Sequence, residues 1–162
     1  MSHDGLSAEE VRASLDHPVV DADGHIVEYW PAFDRYLKAE GIAGGLQDFM
    51  PTASFDGSPQ WTQLEPQERL RQRAFRGPWW GFPNDARDLA TVSAPRLLHE
   101  RLDELGIDVA ICYPSIGLQL PAQRDDKLRR LGCRAYNRYA ADQFAGLGDR
   151  LLPVAVVPTT DP

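Results

Sequence analysis

The sequence predicts an α/β fold built on a parallel sheet, and two observations carry that prediction. Strand-like and helix-like segments alternate along the 162 residues, the order of right-handed crossover units. The segment IDVAICYP (107–114) is apolar at odd and even positions alike, as a strand covered on both faces is.

Taken in order, Ser7 stands three residues before Glu10, a capping-box spacing, so a helix is expected from about Ala8 to Leu15. His17-Pro18 stops it, because a residue before proline avoids the helical region. PVVDAD (18–23) reads as strand one, followed by an Asp-Gly turn at Gly24. Pro31 suits the first turn of a second helix, with Phe33 and Leu37 spaced i, i+4 and Glu40-Gly41 at its end. Residues 41–66 are rich in Gly, Pro, Ser and Thr and read as loop. Pro66 to Phe75 looks helical and carries Arg69, Arg71 and Arg73, with Arg76 just beyond. GPWWGFPNDARD (77–88) is loop again, with Trp79 and Trp80.

SAPRLLHERLDELGID (93–108) predicts a helix capped by Ser93, with Pro95 in the first turn. Leu98, Leu102 and Leu105 fall on one face, and Gly106 ends the helix. Strand two follows at 107–114. A long helix runs from Asp125 to Leu147, with Cys133, Tyr136, Ala140, Phe144 and Leu147 at spacings of three and four. RLLPVAVVPTTDP (150–162) supplies strand three. Residues 1–17 thus form an N-terminal helical extension to an α/β unit over 18–162, with 28–93 a long loop-and-helix insertion after strand one.

Acids outnumber bases 24 to 17, a formal charge of -7, which argues against nucleic-acid binding. No apolar run approaches the ~20 residues a membrane helix needs. MSHDGLSAEE lacks the basic and apolar regions of a signal peptide, and the two cysteines, Cys112 and Cys133, make no disulfide framework. A cytoplasmic protein with reduced thiols is expected.

The stretch VVDADGHIVE (19–28) concentrates the chemistry. Residues two apart on a strand project to one side, so Asp23 and His25 could jointly ligate a metal. The plainer reading is a strand ending in an Asp-Gly turn. Asp21 suits ordering that turn. Glu28 could bond to a ligand, ligate weakly or be a solvated carboxylate.

VVDADGHIVE, RLDELGIDVAICYPSIGL (101–118) and CRAYNRYAADQFAGLGDRLLPVAVVPTTDP (133–162) together resemble the N-terminal portion of the amidohydrolase-related superfamily. Within it they are most similar to the branch containing aminocarboxymuconate-semialdehyde decarboxylase and related aromatic-acid decarboxylases. The resemblance spans roughly residues 18–162. It implies the N-terminal part, about three strands of eight, of a (β/α)8 TIM barrel, with a divalent metal at the C-terminal ends of the strands. Many relatives carry His-x-His at the end of strand one; here those positions are Asp23 and His25. The carboxylate makes the donor set harder, so Mn²⁺ or Mg²⁺ stand beside Zn²⁺ as the expected metal. The resemblance further implies a hydrolase or decarboxylase acting on a small carboxylated, often aromatic compound.

A barrel of this class takes about 250 residues. The family's remaining ligands and acid/base groups lie on later strands with no counterpart here. The expectation is therefore an N-terminal fragment whose catalytic residues lie beyond 162, and which alone holds metal poorly and turns nothing over. The rival reading is a non-catalytic binding or assembly module, completed by a second chain.

The remaining candidates carry plainer alternatives. Arg69, Arg71, Arg73 and Arg76 could capture a substrate carboxylate, but a solvated helix face is the stronger reading. Trp79 and Trp80 could wall a pocket, sit in the interface of a homo-oligomer or simply pack. Tyr113, at the end of strand two, stands where a barrel places pocket residues. Pro114 and Ser115 shape the turn there, and Cys112 reads as an inert core thiol. His3, His17 and His99 lack partners at ligand spacing. Neither a phosphate loop nor a G-x-S-x-G nucleophile motif is present.

Overall fold

A computed structural model describes residues 5–45, 65–71 and 85–158. The chain begins with α1 (Ala8–Ala13), where Ser7 and Glu10 form the expected capping box. β1 (Val20–Ile26) and α2 (Trp30–Ala39) follow. After α3 (Pro66–Arg71) come two short helices, α4 (Ala86–Ser93) and α5 (Pro95–Arg101). β2 (Val109–Pro114) leads into a 3-10 helix (Gly117–Ala122), then α6 (Asp126–Gln143) and β3 (Leu151–Pro153). All three strands are parallel, in the sequential order β1-β2-β3. Among the described residues no helix is long and apolar enough to cross a membrane.

Several local expectations change. β1 does not stop at an Asp-Gly turn. It runs through Gly24 to Ile26, with a register shift between Asp21 and Gly24 where it pairs with β2. One extra residue is absorbed there as a bulge. A Cβ on Gly24 would lie 2.9 Å from the Ile111 carbonyl oxygen, so the close approach of the two backbones requires glycine.

The helix expected from Ser93 is two helices. Ser93 ends α4, whose cap is Asp85, its side chain accepting from the Arg87 and Asp88 N–H groups. Ala94 precedes Pro95 and takes an extended conformation, φ -124° and ψ 98°, which divides the two. β3 is shorter than its apolar run suggests. Past Pro153, the Asn137 side chain takes both backbone groups of Val156, donating to its carbonyl at 2.9 Å and accepting from its N–H at 2.8 Å.

β2 also differs from a strand buried on both sides. Ala110, Cys112 and Pro114 are buried, while Val109, Ile111 and Tyr113 are only partly so. The helices cover one face: Ile26, Ala110, Cys112 and Leu151 pack with Leu98 and Leu102 of the α5 region and with Phe144 and Leu147 after α6. Phe144 and Leu147, expected inside the long helix, lie beyond its end and still fill this layer.

A second cluster joins α2, the 3-10 helix and α6. Phe33 and Leu37, the expected pair, are fully buried. Phe33 meets Tyr139 at 5.5 Å between ring centroids and Tyr136 edge-on at 6.2 Å. Each such buried side chain contributes roughly 1.5–3 kcal/mol by removal from water. This layer fixes where α6 sits, and α6 lies against the turn that follows β2.

Candidate metal-binding end of the sheet

The C-terminal ends of β1 and β2 lie side by side, with His25 opposite Tyr113 and Ile26 opposite Pro114. The His25 and Tyr113 rings stand 5.9 Å apart, tilted by 37°. His25 Nδ1 lies 3.0 Å from the Pro114 carbonyl oxygen. That oxygen can only accept, so Nδ1 carries the proton. The neutral ring then has its lone pair on Nε2. This is the arrangement by which a backbone carbonyl orients a metal-ligating imidazole.

Asp23 sits in the bulge and is exposed, and its N–H donates to Asp21 Oδ1 at 3.0 Å. Asp21 thus orders the local chain, as the sequence suggested. The regular two-residue pleat expected to align Asp23 with His25 is interrupted one step earlier, between Asp21 and Gly24. Asp23 therefore owes its position to the bulge. Among the described residues no three His, Cys, Asp or Glu side chains group as a metal site. A donor pair such as Asp23 and His25 offers mixed oxygen and nitrogen chemistry that fits a divalent cation only in part.

Glu28 is 1% exposed. Its Oε1 accepts from the Ser115 and Gly117 N–H groups at 3.1 and 2.9 Å, and Oε2 from the Ile116 N–H at 2.9 Å. Of the roles the sequence left open, the solvated carboxylate does not occur here. Burial pushes the carboxyl above its ordinary range, against the pull of these backbone donors. Beneath the turn lies Tyr136, whose hydroxyl is buried with no hydrogen-bond partner among the described residues, as is the Ser115 hydroxyl. Burial first, then the Glu28 charge, pushes the Tyr136 phenol up. Tyr139 is pushed up to about 12, chiefly by burial, and its hydroxyl accepts from the Tyr29 N–H at 3.1 Å. Gly117 is required where it is: a Cβ there would lie 2.6 Å from Pro114 Cβ and 2.9 Å from the Tyr136 ring.

The other candidates stand apart from this end of the sheet. Trp79, Trp80, Arg73, Arg76 and His3 lie outside the described residues. Arg71 pairs along α3 with Glu68, its Nε donating at 2.7 Å, the solvated face the sequence favoured. His99 Nε2 bonds Asp149 at 3.0 Å, and His17 lies 3.2 Å from the Pro18 carbonyl. Cys112 is buried, with its thiol pushed up to about 11 by burial and then by Asp21, which suits an unreactive core group.

Sequence reasoning missed the row of N–H groups at 115–117 that receives Glu28. Gly117, three residues past Pro114 in YPSIG, was the available sign of a tight turn there. Comparison with family models, with curated proteins and with solved structures finds no match.

Proposed function

We propose that this chain is the first part of a divalent-metal-dependent hydrolase or decarboxylase of the amidohydrolase type, acting on a small carboxylated compound. The observation that carries the reading is the hydrogen bond from His25 Nδ1 to the Pro114 carbonyl at the C-terminal end of a parallel strand, the contact by which a ligating imidazole is commonly oriented. The strand order adds support. Three parallel strands in sequential order, with helices on one face and the other face partly open, are how a (β/α)8 barrel begins.

Asp23 and His25 would hold the metal, and Tyr113 beside His25 would line the pocket. A divalent metal so held supplies Lewis acidity, to activate water or to orient an acid substrate for loss of CO₂. The chain's own contribution is to fix the His25 tautomer and to offer a carboxylate at Asp23. Two donors fall short of the three or four protein ligands of a tight site. These 162 residues alone are expected to bind metal weakly and to turn nothing over.

The test is bound metal after dialysis against Mn²⁺ or Zn²⁺, repeated with Asp23→Ala and His25→Ala. Lower metal content in both variants supports the assignment, and unchanged content in both sinks it. In a longer chain that is active, CO₂ release separates a decarboxylase from a hydrolase, which instead incorporates water. A second reading, an assembly module completed by another chain, is favoured by the strand edges: Val20 on β1 and Leu152 on β3 are 52% and 46% exposed. It predicts an oligomer that binds no metal.

A further inference from the structure

The bond that orients His25 depends on a carbonyl at the last residue of β2. Such a carbonyl is only as well placed as the turn that follows it. Here the next three residues present their N–H groups to one acceptor, and that acceptor is the carboxylate of Glu28. Three converging donors call for an acceptor-only group. Glu28 lies three residues beyond His25 on the same chain segment. The two strand ends therefore close a ring of contacts: His25 to Pro114, onward through Ser115 to Gly117, and back through Glu28.

We infer that Glu28 is a positioning residue for His25. By gathering the Ser115, Ile116 and Gly117 N–H groups it holds the Pro114 carbonyl in place to accept from Nδ1, and so keeps the lone pair on Nε2. The Tyr136 ring lies close enough to the turn to leave no room for a Cβ at Gly117. As a statement about tautomer the inference stands by itself; its use in metal binding rests on the proposed function.

Nitrogen NMR of the neutral His25 ring reads the tautomer directly. In the unaltered chain the Nδ1–H form is expected to dominate. Glu28→Gln keeps the shape but turns one acceptor into a donor facing an N–H, so at least one of the three bonds is lost. The ratio of Nδ1–H to Nε2–H is expected to fall by about tenfold. A folded Glu28→Gln protein with lowered stability and an unchanged ratio overturns the inference, because a merely structural role would give that result. If Glu28→Gln does not fold, Glu28→Asp is the milder probe, and an unchanged ratio there counts equally against it. Failing both, couplings through the hydrogen bonds from the Ser115, Ile116 and Gly117 nitrogens to the Glu28 carboxyl carbon decide in the unaltered chain, and their absence overturns it.

Mn²⁺ alone, added to the unaltered protein, tests the other layer. Selective broadening of His25 supports the ligand reading. Its absence sinks that reading and leaves the positioning role to be decided by the tautomer ratio.

Discussion

The two faces of the sheet are unlike. On one, Ala110, Cys112 and Pro114 of β2 lie under helices and are buried. On the other, Val109, Ile111 and Tyr113 are only partly covered. The covered face belongs to a buried hydrophobic core. The half-open face carries Tyr113 next to His25, at the strand ends where parallel sheets place their chemistry. Stability and the candidate site are thus divided between opposite sides of the same strands. A substitution can be sorted by side before it is made.

The largest effect should come from the helical cluster formed by α2, the 3-10 helix and α6. Phe33 is fully buried against Tyr136 and Tyr139. Phe33→Ala is expected to cost about 3–5 kcal/mol, by lost burial and the cavity left behind. Urea or guanidinium unfolding reads this directly. A cost below about 1 kcal/mol would mean that α2 is not a fixed part of the core.

Gly24→Ala comes next, because it strikes where a backbone carbonyl of β2 leaves no room for a side chain on β1. The added methyl meets the Ile111 carbonyl at 2.9 Å, a backbone atom with little room to move. A loss of about 1–3 kcal/mol is expected. His25, next along the strand, should also lose its uniform tautomer. A neutral outcome on both counts would remove the bulge from the account.

Much of the helical structure was legible beforehand. Phe33 and Leu37 and the apolar row along α6 follow spacings that burial enforces wherever a helix meets a core, and the Ser7–Glu10 box follows the hydrogen-bonding needs of an exposed helix start. The bulge was not legible. Asp-Gly serves turns and bulges equally, and only the Ile111 carbonyl on another strand decides between them. The break at Ala94-Pro95 could have been read by the rule already applied to His17-Pro18. At the candidate site, His25 and Tyr113 were legible as strand-end residues. The role of Glu28 was not, since three N–H groups from residues 115–117 become neighbours only through the parallel pairing of β1 with β2.

A smaller effect joins the N-terminal helix to the sheet. Asp108 is held below the ordinary aspartate range, first by the Arg12 guanidinium and then by the Val19 N–H, which donates at 2.7 Å. A depressed folded value adds stability above the unfolded value, near 4, and loses it as pH falls through the folded value. Acid should therefore weaken the chain below about pH 4. Asp108→Asn is expected to lose less over the same interval, though it starts less stable at neutral pH. Unfolding midpoints between pH 5 and pH 2.5 give both slopes, and parallel slopes would remove the Arg12–Asp108 link from the acid response.

The smallest effect is expected on the half-open face, and it is the most informative. Ile111 is partly exposed, and Ile111→Thr removes apolar surface there while keeping β-branching. While that face is only partly covered, the cost should stay within about 1 kcal/mol. If further strands, from this chain or another, close over it as a barrel requires, Ile111 becomes interior. Thr then buries a hydroxyl and leaves a void, and the cost climbs to about 2–4 kcal/mol. The same substitution made in these 162 residues and in any longer or assembled form thus measures the closing of the barrel. A difference of under about 0.5 kcal/mol between the two forms would leave the face open in both. The sheet would then be an open three-stranded layer, and the (β/α)8 reading would lose its geometric support.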